Sequence, residues 1–246
     1  MPDPIFSDPR LAALYDPLED HRRDLDHYAD IVAELAASSV LDIGCGTGTF
    51  ACRLADAGID VIGLDPAAAS LDLARAKPGA ERVRWIHGDA SDAPPDSVDL
   101  VTMTGNVAQV FITDLEWRAA LHGAAGALHT GGSLVFETRN PARRAWERWT
   151  KEHTYREVTI GDVGSVTTWT ELLEVKEPLV SFRQIFRFGS DATEVISDST
   201  LRFRGPDELA EDLPRSGLRL QTVRDAPDRP GLELVLVAKR DPYVCC

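Results

Sequence analysis

Asp42, Asp65 and Asp89 each stand at the end of a short apolar segment, and Gly44, Gly46 and Gly48 crowd behind the first of them. The run Val40-Leu-Asp-Ile-Gly-Cys-Gly-Thr-Gly-Thr-Phe50 reads as a strand that turns sharply into a helix, a turn that glycines permit while admitting a ligand to the backbone. Helix-terminal N–H groups there can face a carboxylate or a phosphate. A dinucleotide loop requires GxGxxG, yet the third glycine would fall on Thr49. Asp42 would also repel a pyrophosphate, whereas an ammonium would be attracted. Asp65, seventeen residues past Gly48, can accept two hydrogen bonds from a ribose diol. Asp89, in His87-Gly88-Asp89-Ala90, offers an acceptor to an exocyclic amine such as adenine N6. Asp42 keeps two readings, contact with a ligand or capping of the loop's own N–H groups.

These acids need a frame, and the apolar pattern supplies one. Strands are expected near 40–43, 61–64, 83–86, 98–103 and 133–138, with helices near 50–57, 67–76 and 115–128 between them. Nearly continuous apolar strands alternating with helices indicate a parallel sheet covered on both faces, with ligands held at the strands' carboxyl ends. Upstream, Leu11, Leu14, Leu18, Leu25, Tyr28, Ile31, Val32 and Leu35 recur at helical spacing, interrupted at Pro17, and read as a helical cap. After Pro141 the period becomes two, and segments near 154–160, 165–175, 178–188 and 193–204 read as an antiparallel meander with one face toward water, substrate or another subunit. A helix near 206–215, stopped by Gly217, and strands near 218–224 and 232–239 close the sheet. The expected division is a cap over 1–38, an α/β core over 39–141 and 205–240, and a β insertion over 142–204 that serves as substrate lid or dimer contact.

With these residues in place, the sequence resembles the class I S-adenosylmethionine-dependent methyltransferases. Asp42-Ile-Gly-Cys-Gly-Thr-Gly48 is similar to their first motif, Gly63-Leu64-Asp65-Pro66 to the second and Gly88-Asp89-Ala90 to the third. The resemblance implies a Rossmann-like, mostly parallel sheet with an antiparallel last strand, and S-adenosyl-L-methionine as cofactor. It further implies that Gly44, Gly46 and Gly48 wrap the methionine end, that Asp65 with Pro66 meets the ribose, and that Asp89 and Ala90 meet the adenine. Thr104-Gly105-Asn106, Arg139-Asn140 and the late antiparallel insertion are similar to glycine N-methyltransferase and related small-molecule enzymes. By that likeness Thr104 offers its carbonyl to the cofactor ammonium, Asn106 and Arg139 face the acceptor, and Tyr15 closes over the methyl group. The segment from Val107 to Phe111 lacks the histidine usual there, so glycine itself does not carry over as acceptor. Each of these three also has an ordinary reading: Tyr15 as packing, Asn106 as a turn residue, Arg139 as an ion-pair partner.

Composition narrows the partners. The 246 residues carry 26 Lys and Arg against 40 Asp and Glu, a formal charge of −14, which repels polyanions. No basic run exceeds the pairs Arg22-Arg23 and Arg143-Arg144, so a tRNA or RNA acceptor is the disfavoured alternative, beside a protein that binds the cofactor without chemistry. A small-molecule acceptor is expected, and an amine is favoured over a hydroxyl because no general base can be named. No signal peptide or membrane-length apolar run is visible, so a cytoplasmic location and no membrane partner are expected, with a homodimer compatible with the insertion. No Cys or His spacing suits a metal: Cys45 and Cys52 read as packing residues, the histidines as surface or turn residues, and the terminal Cys245-Cys246 pair is assigned no role. Trp146, Trp149 and Trp169 are read as core beneath the meander rather than as site residues.

Overall fold

A computed structural model describes residues 2–19 and 22–241; His21 and the Cys245-Cys246 pair lie outside the described residues. Seven strands form the central sheet in the order β10-β11-β5-β4-β1-β2-β3. They are β1 (Ser39–Ile43), β2 (Asp60–Asp65), β3 (Val83–His87), β4 (Val98–Met103), β5 (Leu128–Arg139), β10 (Leu218–Asp225) and β11 (Glu233–Arg240). The first five are parallel, β11 runs antiparallel to β5, and β10 pairs antiparallel with β11. The chain winds outward from β1 to β3 and returns to β4 on the other side of β1. The order therefore reverses between β1 and β4, where an open sheet leaves a crevice at its carboxyl edge.

Both faces of the sheet are buried. Leu41, Val101, Phe136 and Leu236 point to one side, with α6 (Asp114–Ala127) and α8 (Pro206–Arg215) packed there through Trp117, Leu209 and Leu213. Their neighbours Val40, Leu100, Val135 and Val237 point to the other, against α3 (Asp24–Glu34) and α4 (Thr49–Asp56). Alternate residues of the central strands thus meet apolar partners, which explains their largely apolar runs. α5 (Ala68–Arg75) links β2 to β3.

The meander is a separate four-stranded antiparallel sheet, β6 (Arg156–Ile160), β7 (Gly164–Lys176), β8 (Leu179–Phe188) and β9 (Glu194–Arg202), preceded by the short α7 (Lys151–Thr154). α1 (Pro4–Ser7) and α2 (Pro9–Leu18) lay Ile5, Leu11, Leu14 and Leu18 against Val166, Phe186 and Phe188 of this sheet. The first two cap helices therefore pack on the insertion, while α3 packs on the core. Trp146 sits edge-on to Phe203 at 4.5 Å in a second small cluster with Val180 and Leu201. On the opposite face Arg183 pairs with Asp198 and Arg187 with Glu194, a charged surface.

Two boundaries differ from the sequence reading. α2 continues through Pro17 to Leu18; a proline in the last turn removes one backbone donor next to the helix end, where little is lost. β5 begins at Leu128 rather than near 133, because pairing with β4 carries the chain across Gly131-Gly132 with a register shift between Val98 and Leu100.

Candidate functional site

A cavity of about 920 Å³ opens at the carboxyl ends of β1, β2 and β4 and reaches under α1, α2 and the insertion. Its floor is the glycine turn. The N–H groups of Gly44 and Cys45 both donate to the Leu64 carbonyl (2.8 and 3.2 Å), Gly48 donates to the Cys45 carbonyl (2.9 Å), and Gly46 donates to Asp65 Oδ2 (2.8 Å). These four donors are spent inside the protein. The turn is thus not a nest of free N–H groups for a pyrophosphate, which removes the dinucleotide reading on geometry as well as on spacing.

The three glycines do different work. Gly46 lines the cavity with open space where a Cβ would be, whereas a Cβ on Gly44 would lie 2.5 Å from Val107 Cγ2. Gly48 does not line the cavity; it sits at φ +77° where α4 begins, and a Cβ there would meet Trp85 at 2.5 Å and Ala74 at 2.8 Å.

Asp65 ends β2 only 7% exposed, with Oδ1 accepting from Ala67 N–H (2.8 Å) as well as Oδ2 from Gly46. Burial pushes its pKa up, and the two backbone donors oppose that shift. Each oxygen keeps a lone pair for a ligand hydroxyl. Asp42, 1% exposed, accepts from Thr102 Oγ1 (2.8 Å), and burial pushes it up to about 7. Asp89 is exposed at the cavity rim, where Oδ1 accepts from Ser91 N–H (2.8 Å) and Ser91 Oγ (2.5 Å), contacts that hold it below the usual carboxylate range. Pro66, Ala90 and Thr104 also line the cavity.

Tyr15 lines the cavity from α2, its ring centroid 5.9 Å from that of Phe6, and burial pushes its phenol up, so it stays protonated. Asn106 and Arg139 are placed otherwise than expected, since neither lines the cavity. Asn106 directs its amide Nδ2 to Glu233 Oε1 (3.0 Å) and its backbone N–H to Glu137 Oε1 (3.0 Å). Arg139 donates to Gln109 Oε1 (2.9 Å) and lies 5.7 Å from the Trp149 ring. Both point into a buried polar layer whose carboxylates lie far off in the sequence.

Other residues escaped the sequence reading. Arg22 lines the cavity and is its one cationic side chain among the described residues, held by a double hydrogen bond to Asp24. Asp16 on α2 accepts from Thr47 Oγ1 (2.6 Å), Thr49 Oγ1 (3.1 Å) and Lys77 Nζ (2.6 Å), a clasp between cap and glycine turn. Arg204 is buried and donates to the carbonyls of Ala108, Phe111 and Thr113, which fixes the segment carrying the cavity wall residues Val110 to Ile112. The basic partners in these contacts are common surface types, and for Asp16 with Lys77 and for Arg204 the separation in sequence hides the pairing.

Known proteins share this arrangement. Residues 40–132 match the family model described as a methyltransferase domain. The cypemycin N-terminal methyltransferase of a Streptomyces species is 37% identical over 109 residues, 44% of this chain and 44% of that protein, so the match spans less than half of either. Among solved structures, the CcbJ methyltransferase of Streptomyces caelestis superposes with a TM-score of 0.75 at 23% identity, covering 94% of this chain and 96% of that one. CalS10 of Micromonospora echinaspora, an amino pentose methyltransferase solved with bound S-adenosylmethionine, gives 0.69 at 23% identity, covering 89% and 92%. The chain thus has the fold of these methyltransferases, residues 40–132 carry the sequence match to a methyltransferase domain, and S-adenosylmethionine is the cofactor bound in CalS10.

The residues present fit that cofactor. Asp65 with its remaining lone pairs suits the ribose diol, and the rim at Asp89 and Ala90 suits the adenine. Asp42 and Thr104 suit the ammonium, while Arg22 suits the carboxylate of the methionine end.

Proposed function

We propose that this chain transfers a methyl group from S-adenosylmethionine to an amine of a small molecule, held between the donor floor and a roof made by α1, α2 and the insertion. The observation that carries this reading is the cavity's charge and chemistry. Five carboxylates besides Asp42 line it (Asp3, Asp65, Asp89, Glu116 and Asp198) against the single guanidinium of Arg22, and no histidine or lysine lines it among the described residues. Carboxylates attract a cationic donor and an amine acceptor, whereas a hydroxyl acceptor needs a base that this wall does not offer in ordinary form. The names of the cypemycin N-terminal and the amino pentose methyltransferases point the same way.

When bound, the cofactor supplies both the methyl group and its sulfonium leaving group. The chain's own contribution is placement and exclusion of water. Asp65 and Gly46 fix one end of the donor site, and Asp42, Thr104 and Arg22 the other. Phe6, Tyr15, Phe50 and Phe111 wall the space above and keep water out. Tyr15, protonated, can accept a hydrogen bond from an attacking amine and turn its lone pair toward the methyl carbon, but cannot serve as its base. The methylated amine leaves as a cation or gives its proton to solvent, so the wall carboxylates only offset its charge.

Calorimetry with S-adenosylmethionine and S-adenosylhomocysteine, followed by turnover on matched amine and hydroxyl acceptors, tests both parts. No uptake of either nucleoside sinks the whole reading, and turnover confined to hydroxyl acceptors sinks the amine.

A further inference from the structure

Outside the cavity lining, at the ends of β5 and β11, lies a buried polar cluster that the transfer itself does not use. Glu137 on β5 (1% exposed) and Glu233 on β11 (2% exposed) are diagonal neighbours across the antiparallel pair, where Glu137 faces Val235 and Arg139 faces Glu233. Glu137 accepts from the Tyr28 phenol of α3 through Oε2 and from Asn106 N–H through Oε1. Glu233 Oε1 accepts from Asn106 Nδ2 (3.0 Å) and Arg229 Nη1 (2.7 Å). Two buried carboxylates at diagonal positions repel each other, and a proton retained by the pair relieves that repulsion. Glu233 Oε2 finds no N–H or O–H donor among the described residues, and a proton held between the carboxyls supplies one.

Asn106 is the point of leverage. It sits at φ +64° after Gly105 at φ +69°, a left-handed conformation that asparagine tolerates better than most residues with a side chain. Here Glu137 grips its backbone and Glu233 its side chain. Its neighbours Thr104, Gly105 and Val107 all line the cavity, and Val107 rests directly on Gly44.

We propose that the Glu137–Glu233 carboxyl pair is a positioning device for the donor site: sharing one proton, it grips Asn106 from both sides and so seats Thr104–Val107 against the glycine turn. This rests on the reading of the cavity as an S-adenosylmethionine site. Burial, and then the charge of Glu233, push Glu137 up to about 7. Above neutrality the proton leaves, and two adjacent carboxylates face each other beside the guanidiniums of Arg229 and of Arg139 on β5, with the Tyr28 phenol on α3 as the other ionisable group of the layer. Repulsion then loosens Asn106, so donor affinity falls on the alkaline side.

Glu137→Gln keeps the shape and removes the charge. In the ligand-free protein the Asn106 backbone amide resonance is followed from pH 5.5 to 8.5, and the dissociation constant of S-adenosylhomocysteine is measured over the same range. Wild-type protein is expected to show an Asn106 inflection near neutrality and roughly tenfold weaker binding at pH 8.5 than at pH 7, as loss of a group titrating near 7 requires. Glu137→Gln should show neither. Tyr28→Phe, which keeps the ring 6.3 Å from Phe50, removes a donor that favours ionised Glu137 and should move both inflections to higher pH. This second variant decides the matter if the first does not fold. A pH-independent Asn106 amide in wild-type protein, an alkaline limb that survives Glu137→Gln, or inflections unmoved by Tyr28→Phe overturn the proposal. If wild-type protein takes up no nucleoside while the Asn106 amide still titrates and responds to both variants, the donor-site reading fails instead.

Discussion

Replacing Asp42 by Asn should make the protein more stable and a poorer binder at once. Asp42 is 1% exposed, and burial raises its pKa from the ordinary 3.8 to about 7. A carboxyl that is harder to ionise when folded contributes stability that is full below its unfolded value and is lost as pH climbs through its folded value. Over about three pH units this reaches roughly 4 kcal/mol at the upper limit, at 1.36 kcal/mol per unit. Asn pays no such cost, and its Oδ1 can still accept from Thr102 Oγ1. The Asp42→Asn protein should therefore match wild type near pH 4 and melt at higher temperature at pH 8. Donor binding runs in the opposite direction. An ammonium placed beside ionised Asp42 gains a charge-assisted hydrogen bond of about 1.5–3 kcal/mol, so the variant should bind roughly 10- to 100-fold more weakly at neutral pH. Wild-type affinity should also weaken by roughly tenfold per pH unit below 6, as the carboxyl protonates, and the variant should lose that acid limb. Thermal melts and calorimetry with S-adenosylhomocysteine between pH 5 and 8 measure both. Equal melting temperatures at pH 8, with affinities within about twofold and the same acid limb, would refute the placement of Asp42 beside the ammonium.

The glycines should separate by the same pair of assays. Gly48→Ala, driven into Trp85 at a positive φ, should cost roughly 1–3 kcal/mol of stability, and repacking by Trp85→Leu should recover part of it. Gly46→Ala, with open space around it, should cost about 1 kcal/mol from its φ of +55° and act mainly on nucleoside affinity. Asp16→Ala opens the clasp to Thr47, Thr49 and Lys77; stopped-flow release of a fluorescent S-adenosylhomocysteine analogue should quicken several-fold, and an unchanged rate would mean that the cap is not the gate. Arg204→Lys cannot satisfy the carbonyls of Ala108, Phe111 and Thr113 together, so the acceptor KM should rise more than the donor KM in steady-state kinetics.

The central sheet was legible because burial on both faces leaves strands such as Val98–Met103 mostly apolar, with Asp99 and Thr102 the only polar residues in it, and Asp65 and Asp89 stand out as acids at strand ends. The insertion was legible from its period of two. What could not be read was direction. Asn106 and Arg139 stand just after β4 and at the end of β5, where the motifs point, yet they are bonded to Glu137, Glu233 and Gln109, three residues that look unremarkable in the strands and turn where they lie. An apolar stripe likewise announces that Leu11, Leu14 and Leu18 are buried, but not that the insertion rather than the core buries them. Contacts such as Asp16 with Lys77 join residues about sixty positions apart, and only the folded chain reveals them.

The internal hydrogen bonding of the glycine turn has a kinetic corollary. Because the N–H groups of residues 44, 45, 46 and 48 are already satisfied by the protein, the floor is complete before any nucleoside arrives and little ordering cost accompanies its entry. A preformed floor welcomes the spent thioether as readily as the fresh sulfonium, since the two share their ribose, base and amino-acid ends. Discrimination then falls to charge, with the acidic wall favouring the cation. Turnover by such a molecule should be throttled by its own by-product wherever that nucleoside is not cleared.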